Sequence, residues 1–129
     1  MAKIKGIEDI QAWKLARELT NDIYEITSSG RFDRDFALKN QIRRAAISIV
    51  SNIAEGFERG GDKEFLQFLA IAKGSSGELR AQLFVALDQL YISESQFHSI
   101  SEKAKTVSQL VAGFIKYLQS STLRGSKYK

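Results

Sequence analysis

Apolar residues in the last third of the chain recur at alternating intervals of three and four positions. This spacing places them on one face of an α-helix and is typical of helices that pack lengthwise against other helices. The stripe consists of Phe97, Ile100, Ala104, Val107, Val111, Phe114 and Leu118. The pattern therefore predicts a fold built from long helices that lie side by side.

Three earlier blocks show the same helical period, and glycine or a capping residue separates each block from the next. Gly30 and the pair Gly60–Gly61 fit helix ends, since glycine readily adopts the positive φ found there. Asp62 is predicted to cap the third helix, and Ser93 with Gln96 forms a capping-box pattern for the fourth. The predicted helices cover about residues 8–28, 35–58, 62–91 and 93–121.

The predicted architecture is all-α, an antiparallel up-down-up-down four-helix bundle, because short connections make consecutive helices antiparallel neighbours. The 129 residues fit a single domain, residues 1–129, which ends in a basic tail at 123–129. The core stripe of the third helix is predicted to run from Phe65 to Leu90. The absence of cysteine excludes disulfides and thiolate metal sites.

Apolar residues cover an arc of about 200° on the second helix, whereas a bundle helix needs little more than about 100°. Such a helix has a second neighbour, so we predict self-association into a ring or a dimer. Small residues around Gly74 and Gly77 are expected to let another backbone approach closely. The residues predicted at the interface are Trp13, Tyr24, Ile47, Val50, Ala54, Phe57 and Phe84.

The net charge of +4 comes from the two ends of the chain. Residues 6–123 carry 14 basic and 15 acidic side chains, a net charge of −1. The excess belongs to Lys3 and Lys5 at the start and to Arg124, Lys127 and Lys129 at the end. Basic ends can hold phosphate through counterion release, and they can equally serve only to keep a protein soluble.

The sequence carries no recognisable catalytic motif. His98 is the single histidine and is expected on the surface, which leaves no histidine-rich metal site. Neither a phosphate-binding Gly-Lys-Ser/Thr loop nor a Gly-x-Ser-x-Gly elbow occurs. We therefore expect no enzyme activity, no cofactor and no metal.

The start of the chain lacks the apolar core of about 7–15 residues that marks a signal peptide. No segment approaches the roughly 18 uninterrupted apolar residues of a membrane span. We therefore expect a cytoplasmic protein of bacterial type that does not use a membrane.

One segment, residues 41–56 (QIRRAAISIVSNIAEG), closely resembles the signature of the 23S rRNA intervening-sequence protein family. Residues 10–17, 63–69 and 74–79 resemble other parts of that family, and the similarity spans residues 7–118. Val50 departs from the family, which often has proline there, so the second helix is expected to be straighter. The resemblance implies a four-helix bundle that assembles as a ring-shaped homopentamer.

The family is also similar to retroelement accessory proteins, which are basic pentameric bundles that bind nucleic acid and a reverse transcriptase. The resemblance thus favours a non-catalytic RNA- or DNA-binding assembly, and the alternative is a structural or adaptor ring that binds another protein.

Arg44 is a candidate phosphate ligand on the polar face of the second helix. In the opposing interpretation, Arg44 and Glu55 only form salt bridges. The candidate nucleic-acid-binding residues are Lys39, Arg43, Arg44, Arg59, Lys63, Arg124, Lys127 and Lys129.

Overall fold

The computed structural model describes the backbone of residues 4–128 and the side chains of residues 4–120. Over this range the chain forms helices and no strand, which confirms the all-α fold class. A 3₁₀ turn at Ile7–Asp9 is followed by α1 (Gln11–Ile26), α2 (Gly30–Arg34), α3 (Phe36–Arg59), α4 (Asp62–Asp88) and α5 (Glu94–Tyr128).

The four long helices surround one apolar core. Helix α3 packs against α1 and α4, and α5 packs against the same two helices, so each long helix has two neighbours. The predicted stripes supply the core: Leu19, Ile49, Leu79 and Val107, one from each long helix, are fully buried. The protein is therefore a helical bundle, as the apolar period predicted.

Helix α2 is absent from the sequence-based prediction. Gly30 has a φ of +63°, but it begins a new helix of five residues instead of ending α1. This helix buries Phe32 in the core, and it is too short to show a helical period in the sequence. Asp35 then caps α3, because its Oδ1 accepts a hydrogen bond of 3.1 Å from the backbone N–H of Leu38.

The sequence predicted only some of the other helix ends correctly: α4 ends at Asp88 instead of about residue 91, and α5 runs to Tyr128, through most of the predicted tail, instead of ending near residue 121. Gly60 ends α3 in the left-handed region, with a φ of +81°, as predicted. The Ser93 and Gln96 side chains each accept a hydrogen bond from the other residue's backbone N–H, at 3.1 and 2.9 Å. The prediction that Asp62 caps α4 is wrong, because Gly61 is the cap and Asp62 is the first residue of the helix. A carboxylate in the first turn still interacts favourably with the positive end of the helix.

Leu90 was predicted as the last core residue of α4 and is instead the most exposed large apolar side chain of the described residues, at 79%. The helix ends at Asp88, so the helical period no longer sets the direction of Leu90. The backbone N–H of Tyr91 donates to Ala86 O, and that of Leu90 donates to Leu87 O. This is the Schellman arrangement, in which Leu90 holds the left-handed position, with a φ of +62°.

Candidate nucleic-acid interface

The basic side chains gather where α2 meets the start of α3. The Lys39 ammonium lies 2.6 Å from the Asp33 carboxylate, which joins α3 to α2. This contact is the main cause that holds the pKa of Asp33 below its ordinary value, and Arg43 and Arg34 lower that pKa further. Three cations from two helices therefore act on a single carboxylate.

Arg43 connects α3 to the end of α1. Its Nε donates to Thr27 Oγ1 at 2.8 Å, and a terminal guanidinium N–H donates to Ser28 Oγ at 3.1 Å. The guanidinium carbon lies 4.2 Å from the centroid of the Tyr24 ring, within the range of a cation–π interaction. These partners are all uncharged, so the positive charge of Arg43 is held in place without being neutralised by them.

A depression of about 500 Å³ lies beside this cluster and is lined by Arg31, Arg34, Asp35 and Tyr91. The Arg31 guanidinium lies 5.4 Å from the Tyr91 ring centroid. The Tyr91 hydroxyl donates to Asp35 Oδ2 at 2.8 Å. The Leu38 N–H and this hydroxyl lower the pKa of Asp35, and the same bond, with burial, raises the pKa of Tyr91. At neutral pH one carboxylate therefore faces two arginines here.

Arg44 is exposed on the next part of α3. With Tyr24, Asn40, Arg43 and Ile47 it lines a second open groove, of about 590 Å³. Among the described side chains no carboxylate lies within ion-pair distance of Arg31, Arg34 or Arg44. We call the cluster of Arg31, Arg34, Lys39, Arg43 and Arg44 the basic end of the bundle.

Sequence reasoning missed three residues of this region. Arg31 and Arg34 belong to the unpredicted helix α2, and Phe36, which is 67% exposed, begins α3. The sequence signal was weak: residues 31–36 (RFDRDF) place two arginines near the exposed Phe36, but the same segment holds two aspartates and the buried Phe32.

The remaining candidate basic residues lie elsewhere. Arg59 is about 30 Å from Lys39 along α3, at the rise of an α-helix. It pairs with Glu55 at 3.0 Å and with Glu64 at 3.6 Å, and Lys63 is exposed beside it in the chain. Glu55 thus pairs within its own helix. The side chains of Arg124 and Lys127 and the whole of Lys129 lie outside the described residues.

The predicted interface residues divide into two groups. Trp13, Val50 and Phe57 are partly buried against the core, and Ala54 is half-buried, because α3 packs against α1 as well as α4. Much of the wide apolar arc of α3 is therefore covered within the protomer. The members that stay exposed are Tyr24, Ile47 and Phe84.

Polar side chains of α3 contact α4 directly. Ser48 Oγ and Ser75 Oγ are 2.7 Å apart, and Asn52 Nδ2 donates to the Ser48 carbonyl at 2.8 Å. The Ser48–Ser75 contact therefore joins α3 to α4, whereas the Asn52 bond stays within α3.

His98 is exposed, as predicted. Within the described residues, no three or more histidine and carboxylate side chains gather as a metal site would require. None of the described helices combines the length and the apolar character of a membrane span.

Fold and surface together define a class: a helical bundle with a basic, aromatic-containing end. The sequence profile of the 23S rRNA-intervening sequence protein family matches residues 8–113, so the chain belongs to this family. A crystal structure of a protein of unknown function from the S23 ribosomal protein family of Bacteroides thetaiotaomicron has the same fold. It superimposes with a TM-score of 0.77 at 23% identity, covering 85% of this chain and 99% of the other. No curated protein matches the chain.

Proposed function

We propose that this protein is a non-catalytic, self-associating helical bundle that binds nucleic acid through its basic end. The observation that carries the proposal is the grouping of five cations with two carboxylates, Asp33 and Asp35, where α2 meets α3. The body of the chain has no net basic excess, so this clustering is a local feature. A local excess of cations attracts a polyanion and releases its counterions.

Arg31, Arg34 and Arg44 supply the phosphate contacts in this proposal. Each guanidinium presents donors in a planar fork that matches phosphate oxygens. Lys39 and Arg43 have a different part, because their hydrogen bonds fix the positions of α2 and of the end of α1. The binding surface is thus built on helices whose relative positions are held by its own cations.

The direction of the helices is part of the proposal. Ser48 contacts Ser75, and a side chain at Gly56 would meet Phe65, which supports opposite directions for α3 and α4. Phe84 packs against Phe97, and Ser76 bonds the Ala104 carbonyl, which supports the same for α4 and α5. An up-down-up-down bundle puts α2 and the α4–α5 loop at one end of the molecule.

Self-association is proposed to use the outer face of α4. Ala70, Gly74, Gly77 and Ala81 form a stripe of small exposed residues, with Phe84 beside it. Among the described atoms, nothing lies within 4 Å of a Cβ built on Gly74 or Gly77. Within the described part of the protomer no other helix packs on Gly74 or Gly77, and a helix of a second copy could approach this smooth surface closely.

A closed ring of five copies is the assembly that the family resemblance implies, and it would bring five basic ends into one particle.

The alternative function is a structural or adaptor ring that binds another protein. The exposed Ile71 and Val85, on the flank of the α4 face, favour it. The two functions differ in their response to salt. Phosphate binding weakens steeply as the salt concentration rises, whereas an apolar contact does not.

Fluorescence anisotropy of labelled RNA and DNA hairpins against the full-length protein tests the proposal. Binding should be measurable at about 50 mM salt and weaken by at least about tenfold at 200 mM. Absence of binding at the lower salt concentration would overturn the nucleic-acid function and leave the adaptor ring.

A further inference from the structure

We propose that the basic end holds an unpaired stretch of nucleic acid, with a base stacked on the ring of Phe36 and the adjoining phosphates on Arg31 and Arg34. This inference rests on the proposed function and adds the class of ligand to it. It arises from apolar side chains that the fold leaves exposed among these cations.

Phe36 is the first of these side chains. It lies in the first turn of α3, with 67% of its surface exposed, and therefore contributes little to the core. The Lys39 ammonium lies 5.8 Å from the centroid of its ring. A large exposed ring beside a cation is suited to a ligand that has both a flat apolar face and a negative charge, as a nucleotide has.

Leu90 is the second exposed side chain. It combines 79% exposure with a left-handed backbone, a conformation that glycine adopts without penalty and leucine does not. Leucine at this position thus adds strain and gains no burial in the protomer. Strained residues that present apolar surface tend to mark sites of contact with a ligand.

A single hydrogen bond joins the two segments that carry these side chains. Phe36 follows Asp35 in the chain, and Leu90 precedes Tyr91, whose hydroxyl bonds Asp35 at 2.8 Å. The depression lined by Arg31 and Arg34 contains the same Asp35 and Tyr91. The segments that carry Phe36 and Leu90 therefore meet at the end of the bundle that also holds the Arg31 and Arg34 guanidinium groups.

An unpaired strand fits this arrangement better than a duplex does. In a duplex the faces of the bases are already stacked on one another, so only the phosphates would meet the protein and Phe36 would stay exposed. In a single strand the bases can be splayed out and can stack on aromatic rings and on guanidinium planes. The stacking of a base on an aromatic side chain is tolerant of sequence, so the proposed ligand class has no fixed sequence.

The test compares a labelled oligouridine of about 12 nucleotides with a hairpin of similar charge, using the full-length protein and its Phe36→Ala and Phe36→Trp variants. The wild type should bind the single strand more tightly. Phe36→Ala should weaken single-strand binding by about 5- to 100-fold and leave hairpin binding within about twofold, and Phe36→Trp should retain it. Tyr117→Ala, at an exposed aromatic position on α5, is the matched control and should leave both affinities unchanged.

The outcomes separate this inference from the proposed function. Equal affinity for both probes, together with an unchanged Phe36→Ala variant, would overturn stacking while the proposed function stands. Failure to bind either probe at low salt would overturn both. If neither probe bound but the protein pelleted with vesicles of phosphatidylserine and phosphatidylcholine in a Phe36-dependent way, the exposed ring would be a membrane contact and the inference would be wrong.

Discussion

The Tyr91 hydroxyl donates a hydrogen bond of 2.8 Å to the carboxylate of Asp35, 56 residues away in the sequence. Asp35 at the same time caps α3 through the Leu38 N–H. One carboxylate therefore starts a helix and fastens the α4–α5 loop to it. This link positions both sides of the surface that we propose as the ligand site.

The link makes stability depend on pH in two ranges. The pKa of Asp35 is lowered in the folded protein. Its contribution to the free energy of unfolding is therefore complete above about pH 4 and is lost as the pH falls through the folded pKa. The pKa of Tyr91 is raised, so its contribution is complete below about pH 10 and is lost as the pH rises through the folded pKa.

Urea denaturation of the wild type and of Tyr91→Phe across these pH ranges measures the effect. Tyr91→Phe should be less stable at neutral pH, and the difference should shrink in the alkaline range. Tyr117→Phe, at an exposed tyrosine of α5, serves as the control. A gap between wild type and Tyr91→Phe that stayed constant up to alkaline pH would contradict the assignment.

Leu90→Gly should raise stability and weaken binding. Glycine relieves the left-handed strain, which corresponds to about 1 kcal/mol, and little packing is lost because the side chain is exposed. Thermal unfolding should therefore shift upward by several degrees. Anisotropy with oligouridine should show weaker binding for the same variant. A loss of stability would mean that Leu90 serves the fold and not a ligand.

Two glycine positions within helices should respond in opposite ways to alanine. A Cβ at Gly56 would lie 2.7 Å from Phe65 Cδ1 and 2.9 Å from Phe68 Cβ, so Gly56→Ala should destabilise the protein by about 1–3 kcal/mol. Nothing described lies within 4 Å of a Cβ at Gly113, so Gly113→Ala should stabilise it by about 1 kcal/mol. Chemical denaturation measures the free energy of unfolding of both variants. An equal change for Gly56→Ala and Gly113→Ala would contradict the close packing of α3 on α4.

Gly77→Leu should abolish self-association without unfolding the protomer. The position is open in the protomer, but leucine would fill the smooth stripe that a second copy is proposed to contact. Light scattering should give a multiple of 14.5 kDa for the wild type, fivefold for a pentamer, and 14.5 kDa for the variant. Lys105→Leu, at an exposed position of α5, is the control. A wild-type mass of one protomer would contradict the assembly.

The long helices and their core were predictable because burial along a helix repeats with the helical period. The stripes that contain Ile49 and Val107 are buried where the sequence placed them. The prediction of burial failed for residues that lie outside the long helices. Leu90 lies beyond the end of α4, and Phe32 lies in a helix of only five residues.

The candidate site was only half predictable for a related reason. Lys39 and Arg43 belong to a long helix and could be placed on it from the sequence. Arg31 and Arg34 could not, because the position of α2 depends on the contacts of Asp33 and Asp35 with residues 6 and 56 positions away. Contacts of that kind are set by the folded chain and leave no periodic signal.

The most direct test of the central claim compares two double variants that remove the same charge. Arg31→Gln/Arg34→Gln alters the basic end, and Arg59→Gln/Lys63→Gln alters the far end of α3. Anisotropy with labelled oligouridine over a range of salt concentrations should show that the first double variant loses at least about tenfold in affinity. The slope of log affinity against log salt concentration should also become less steep, by the amount expected for the loss of about two phosphate contacts. The second pair should stay within about twofold of wild type, and equal losses in the two would contradict a binding site at the basic end.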